Sequence, residues 1–390
     1  MIRLMTGGES HGRCLSGILE GLPAGLAVDV SFINLQLRRR QLGYGRGGRM
    51  QIERDEIDIT AGVRHGRTMG SPIAYLVHNR DWSHWEIPMS IAPVARGSNL
   101  RPVTRPRPGH ADLAGALKYD MHDARNILER ASARETAARV AGGAFCMLFL
   151  RDFGIRVGSH VTAVGDVEAS GSGAGVSFED IQAIDPDSPL RCADASAEGR
   201  MMARIDEAKR AGDTLGGVLE CVASGLPAGL GSHIQWDRRL DGRIAQALMS
   251  IPAVKAVEIG DGIPAARSLG SAVHDAIFYD GSSRRFYRKT NRAGGLEGGI
   301  TNGEEVRVRV FVKPIPTLRK PLLSVDLASK EAFEAAFERS DTCVVPAAAV
   351  IVEAMLSVVL AGALIEKFGG DCVGETAANL EAYLERVREY

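Results

Sequence analysis

Residues 347–368 read AAAVIVEAMLSVVLAGALIEKF, and the reading of this stretch decides the fold. It is apolar on every side of a helix, so it belongs either in a bilayer or in a protein interior. Glu353 interrupts the run, nothing else in the chain points to a membrane, and Gly369-Gly370 supplies a helix stop. We therefore expect a buried central helix, available for a subunit interface, and no membrane span.

Working outward, residues 133–149 predict a second helix. Ala137, Val140, Ala141, Ala144, Phe145 and Leu148 recur at helical spacing, and Gly142 and Gly143 allow another helix to approach closely. Residues 305–313 predict a half-buried strand, with Val306, Val308, Val310 and Val312 on one face. Residues 58–63 and 72–77 are weaker strand candidates. The segment GLPAGL occurs at 21–26 and again at 225–230, each time after an expected strand, which hints at two similar βα layers in one domain. The best candidate boundary is the polar stretch 165–197.

Composition narrows the class. In 390 residues, 45% hydrophobic and 24% charged content describes a soluble globular chain with a sizeable core. A net charge of −1 gives no overall field for a polyanion, yet the arginines are clustered, which suits small anionic ligands and argues against nucleic acid. Six scattered cysteines make neither a metal cluster nor a disulfide framework, so we expect no metal site and a reduced, cytoplasmic protein.

Several segments carry chemistry. Gly8-Glu9-Ser10-His11-Gly12 matches a serine nucleophile elbow, but only seven residues precede it, too few for the sheet that motif needs. His11, flanked by glycines, is the better candidate. Residues 38–49 contain Arg38, Arg39, Arg40, Arg46 and Arg49 in a glycine-rich context. They match a dinucleotide fingerprint formally but follow no strand, so a mobile loop laying arginines over an anion fits better, with an RGG-type segment or a solvated surface as alternatives. Arg105, Arg107 and His110 share a proline-set loop, where nearby cations oppose imidazolium formation. Arg130, Ser132 and Arg134 stand at a helix mouth, either as an anion cradle or as a cap with surface arginines. Asp341 precedes the long helix, either as a helix-terminal charge or as a carboxylate held for proton transfer.

Nine collinear blocks resemble the chorismate synthase family: GGESHG, RRRQLGYGRGGRM, GVRHGRTMGSPIA, RPGHADLAGALKY, RASARETAARVAGGA, GDTLGGVLECVASGLPAGLGS, EGGITNGE, KPIPTL and ERSDTCVVPAA. The resemblance implies an α+β fold, a single-domain β-α-β sandwich spanning 1–390 with buried central helices, and a homotetramer. It implies an anti-1,4-elimination of phosphate from 5-enolpyruvylshikimate 3-phosphate that requires reduced FMN without net redox change. NADPH is a possible reductant and a separate flavin reductase a possible partner.

The resemblance also implies roles. His11 would protonate or polarise near the departing phosphate, His110 would sit by the flavin ring, and Asp341 would help flavin N5 take the C6 proton. FMN positions would be Arg130, Ala131, Ser132, Pro252, Ala253, Gly298, Lys313, Pro314, Ile315, Pro316, Thr317 and Arg339. Arg40 and Arg46 would hold NADPH or substrate, and Arg49, Arg107 and Arg134 substrate. Pro252, Ala256 and Ala131 depart from the residues common there, all at flavin-contact positions. A flavin- or anion-binding module without catalysis is the rival class.

Overall fold

The computed structural model describes residues 2–47, 54–170, 175–320, 322–335 and 341–390. The first half builds one antiparallel sheet from β1 (Arg3–Gly7), β2 (Cys14–Glu20), β3 (Ile57–Ala61) and β4 (Ile73–His78), in the order β1-β2-β4-β3. The second half builds another from β5 (Arg156–Val164), β6 (Gly217–Ser224), β7 (Val254–Ile259) and β8 (Val306–Val312), in the order β5-β6-β8-β7. A short strand, Val167–Glu168, extends the β5 edge.

The two strand orders are the same, and in each half a helix follows the GLPAGL segment. GLPAGL follows β2 and leads to α1 (Val30–Gln41); its second copy follows β6 and leads to α5 (Leu240–Met249). The first half closes with α2 (Asp112–Tyr119), α3 (Arg125–Ala131) and α4 (Thr136–Asp152), and the second with α6 (Val345–Phe368) followed by a helix over Val373–Arg388 that packs on it. Each GLPAGL is held by one threonine in the same way. Thr68 Oγ1 accepts the Leu26 N–H (3.0 Å) and donates to Pro23 O (2.6 Å). Thr301 Oγ1 accepts the Leu230 N–H (2.8 Å) and donates to Pro227 O (2.7 Å). The repeated hexapeptide thus marks a duplicated unit.

This overturns one expectation. Residues 165–197 form no boundary, because β5 before them and β6 after them pair directly. They are an excursion of one half, whose Phe178 and Ile181 pack on Val222. The halves join at residues 153–155, between α4 and β5.

Between the sheets lie α4, against β1 and β2, and α6, against β5, β6 and α4. Of the most apolar window of α6, 78% is buried inside the protein, so this helix is core. Gly143 makes the helix contact possible: a Cβ there would sit 2.6 Å from Ala354 Cβ and 2.7 Å from its carbonyl oxygen. Gly142 instead faces the first sheet, where Tyr75 donates its hydroxyl to Ala138 O in α4 (2.7 Å).

Candidate active site

His11 lies in the turn between β1 and β2, which Gly8 enters at φ 100°. A side chain at Gly8 would collide with Cys14 O at 2.5 Å, so this turn needs glycine. The imidazole stacks on Trp85 with centroids 3.9 Å apart, and Trp85 also carries the guanidinium groups of Arg101 and Arg125. His11 Nδ1 is 2.9 and 3.0 Å from the two oxygens of Glu129, and the His11 main-chain N–H donates to Glu129 Oε2 (2.8 Å). Arg125, one turn earlier on α3, donates to Oε1 (3.0 Å). Burial pushes the Glu129 carboxyl up, but hydrogen bonds and charge from His11 and the charge of Arg125 outweigh it and hold the group below its ordinary range.

From α3 the contacts run on through the arginines. Arg134 Nη1 donates to Asp55 (2.6 Å), with Arg40 Nη1 3.5 Å from the same oxygen. Arg40 also donates to Thr136 Oγ1 and Ala133 O, both at 3.0 Å, which seats the end of α1 on the start of α4. Beyond α1, Arg46 Nη1 is 2.6 Å from Asp341 Oδ2, and the Gly47 N–H donates to Asp341 Oδ1 (2.6 Å). Asp341 makes no cap for α6, whose N-cap is Val344, so the helix-terminal reading is set aside. Residues 43–47 are tied to their surroundings: the Thr342 N–H donates to Gly45 O, and Tyr44 donates to Asp206.

The chain of contacts then reaches the second histidine. The Leu215 N–H donates to Thr342 O, and Thr214 Oγ1 donates to Ile315 O (2.8 Å). Across the 313–317 loop, Lys313 Nζ donates to Gly109 O (2.5 Å), and Arg107 Nη1 is 3.5 Å from Thr317 Oγ1. His110 Nδ1 lies 2.5 Å from Asp112 Oδ1, while Arg107 donates to Asp112 Oδ2 from Nε (2.8 Å) and from its main-chain N–H (3.1 Å). Burial pushes the Asp112 carboxyl up; the hydrogen bonds from His110 and Arg107 more than offset it and keep the group well below the carboxylate range. The cation expected beside His110 is present, with Arg107 Nη2 3.2 Å from Nδ1, but the closest charge is the carboxylate of Asp112.

His11, His110, Asp341, Ala131, Ser132, Arg40, Arg46, Arg107, Arg134 and the Lys313–Thr317 loop thus lie along one path made of these contacts and the short stretches of chain between them. Ser132 caps the turn before α4 by accepting the Arg134 N–H, and Arg130 donates to Thr6 O (2.9 Å) and Gly8 O (3.1 Å), clamping α3 to β1. Pro252 and Ala253 join this path because the Lys313 N–H donates to Ala253 O. Gly298 does not. Its neighbour Gly299 accepts the N–H of Leu240 at the start of α5, whereas Pro252 follows the end of that ten-residue helix, about 15 Å away. Arg49 and Arg339 lie outside the described residues.

Sequence reasoning missed Glu129, Asp112, Trp85 and Asp55. His110 and Asp112 are two residues apart, so that pair was there to be noticed. Nothing in the sequence links Glu129 to His11 across 118 positions.

The fold is α+β, and its candidate site sets histidines beside carboxylates and arginines. The family model for chorismate synthase matches residues 2–365. The chain is 55% identical over 392 residues to the chorismate synthase of Solibacter usitatus and 56% identical over 396 residues to that of Geobacter sulfurreducens, each alignment covering 100% of both chains. A crystal structure of chorismate synthase, 43% identical, superposes with a TM-score of 0.81 over 100% of this chain and 99% of that one. The chain belongs to the chorismate synthase family, and it is a lyase.

Proposed function

We propose that this chain eliminates phosphate from 5-enolpyruvylshikimate 3-phosphate to give chorismate, with His11 and His110 as its acid–base pair and reduced FMN as cofactor. The observation that carries the reading is a run of cation–carboxylate clusters, Glu129 with His11, Asp55 with Arg40 and Arg134, Asp341 with Arg46, and Asp112 with His110 and Arg107, linked by contacts and short stretches of chain. A phosphorylated, carboxylated substrate and a phosphorylated cofactor need such a set, because each buried unpaired anion is costly.

The residues present fit a flavin phosphate. Burial, and secondarily the charge of Lys255, push the Lys313 ammonium below the ordinary lysine range, so an anion here relieves a standing penalty. Lys313, Ser132 and the 314–317 loop are the groups we assign to FMN, together with Ala131, Pro252, Ala253 and Arg130. Reduced FMN, when bound, would supply the electron density that lets phosphate depart from one end of the allylic system while the weakly acidic C6–H is lost at the other. His11 delivers a proton to the leaving phosphate oxygen, His110 holds one beside the flavin ring, and Asp341 helps the bound flavin take the one lost from C6. Arg40, Arg46, Arg107 and Arg134 orient substrate, with Arg40 and Arg46 alternatively meeting NADPH.

We further read the layers as a single-domain β-α-β sandwich and the assembly as a cytoplasmic homotetramer, with a separate flavin reductase as possible partner. In this reading a second copy brings Gly298 to the flavin. The test is phosphate release from the enolpyruvyl substrate under strict anaerobiosis. Release with reduced FMN, without stoichiometric flavin oxidation, is expected; release without flavin, or matched by its oxidation, overturns the reading.

A further inference from the structure

We propose that Glu129 and Asp112 are matched positioning residues, each accepting a hydrogen bond from the Nδ1–H of its histidine so that His11 and His110 both work through Nε2. The inference rests on the reading of these histidines as the acid–base pair.

The geometry of the two pairs is parallel although they arise from unrelated segments. Glu129 is 2% exposed and Asp112 is fully buried. Each carboxylate holds its histidine by Nδ1, and each is held in turn by an arginine, Arg125 for Glu129 and Arg107 for Asp112. Each also accepts a main-chain N–H: Glu129 from His11 itself, and Asp112 from Arg107, three residues before His110. The backbone carrying each imidazole is thereby fixed along with the ring.

Such a carboxylate decides a tautomer. Arginine and main-chain donors keep it ionised, and an ionised carboxylate can only accept. A ring nitrogen 2.5–3.0 Å away must then carry the hydrogen. Arg107 Nη2 also stands 3.2 Å from His110 Nδ1, but it cannot donate there while that nitrogen holds a proton for Asp112. The proton that each histidine exchanges is therefore on Nε2, the atom opposite its anchor. The other buried histidine uses the reverse arrangement: His160 turns Nε2 to Glu220 at 3.3 Å, on the outer face of the second sheet and away from this site.

Glu129→Gln tests the assignment, because the amide keeps the volume but can donate to Nδ1 as well as accept. We expect kcat to fall about 10- to 100-fold with KM changed by less than about 2-fold, a smaller loss than the roughly 100- to 10,000-fold expected for His11→Ala. Nitrogen NMR of the ¹⁵N-histidine-labelled protein, assigned with His11→Ala and His110→Ala, should show Nδ1–H imidazoles at both positions. Glu129→Gln should disturb the His11 signals and leave those of His110 and His160 in place, and Asp112→Asn should do the converse at His110. Glu129→Asp should recover part of the turnover. Wild-type kcat and an unchanged His11 tautomer in Glu129→Gln overturn the inference. A fully active His11→Ala would instead defeat the acid–base reading, and the NMR signals would still decide the tautomers.

Discussion

Lys313 shows how one residue reports on a ligand. Burial and Lys255 depress its ammonium, so in the ligand-free protein it costs stability at neutral pH, and the cost is relieved as pH rises through its folded value towards the unfolded one. Lys313→Met should therefore leave the ligand-free Tm unchanged or slightly higher, while weakening FMN binding at least about 10-fold. An anion raises the lysine pKa again, so wild-type FMN affinity should hold through neutral pH and fall under alkaline conditions as Lys313 deprotonates. Calorimetric titration across that range checks it, and an equal alkaline decline in Lys313→Met would assign the dependence to another group. Asp341 is a sharper case, since its carboxylate is shared by Arg46 and the Gly47 N–H. Asp341→Asn should still bind FMN and turn over at least about 10-fold more slowly, with the loss in kcat. A wild-type kcat in that variant would confine Asp341 to anchoring the 43–47 segment.

At the scale of elements, the close meeting of α4 and α6 allows a paired prediction. A methyl group at Gly143 has backbone atoms of Ala354 within 2.7–2.8 Å, and neither helix can yield alone. Gly143→Ala should destabilise by about 1–3 kcal/mol through overpacking. Gly199, inside the helix Ala195–Arg210, meets nothing within 4 Å, so Gly199→Ala should stabilise by about 0.4–1 kcal/mol. Urea melts of the two variants should shift in opposite directions; a destabilised Gly199→Ala with a neutral Gly143→Ala would refute the packing argument. The helix contact was legible because glycine pairs in an apolar helix carry that meaning, and strand 305–313 was legible from alternation, appearing as Val306–Val312 with every valine buried. The helix expected at 133–149 begins instead at Thr136, because Ser132 caps a tight turn over Ala133–Glu135 first. His11 and His110 stood out by their local setting. Their carboxylates did not, since pairings made by tertiary packing leave no periodic trace. The boundary at 165–197 misled because low complexity marks an excursion as readily as a linker.

For the molecule as a whole, Glu353 is where the halves are tied. It lies in α6 of the second half and is gripped through both oxygens by Arg39 of α1 in the first (2.7 and 2.9 Å), with Ser159 of β5 donating to it and Arg191 3.8 Å away. Burial alone would raise its carboxyl; the charges of Arg39 and Arg191 and the hydrogen bonds prevail and hold it below the ordinary range. A group depressed in the folded state contributes stability that is present above its unfolded value, about 4.3 for glutamate, and is lost as pH falls towards the folded value. Asp112 and Glu129 are depressed likewise, so acid should unfold the protein steeply below about pH 4.5. Glu353→Gln leaves the half-buried Arg39 facing an amide in place of its carboxylate and should cost about 3 kcal/mol at pH 7. The same variant has one fewer carboxylate to protonate, so its stability should decline less between pH 6 and pH 3 than that of the wild type. Both halves share this contact and one core, and unfolding should remain a single transition in either protein. Urea midpoints measured across that range test the coupling: parallel decline in the two proteins would place the acid sensitivity in other groups, and two separated transitions would mean that Glu353 does not join the halves.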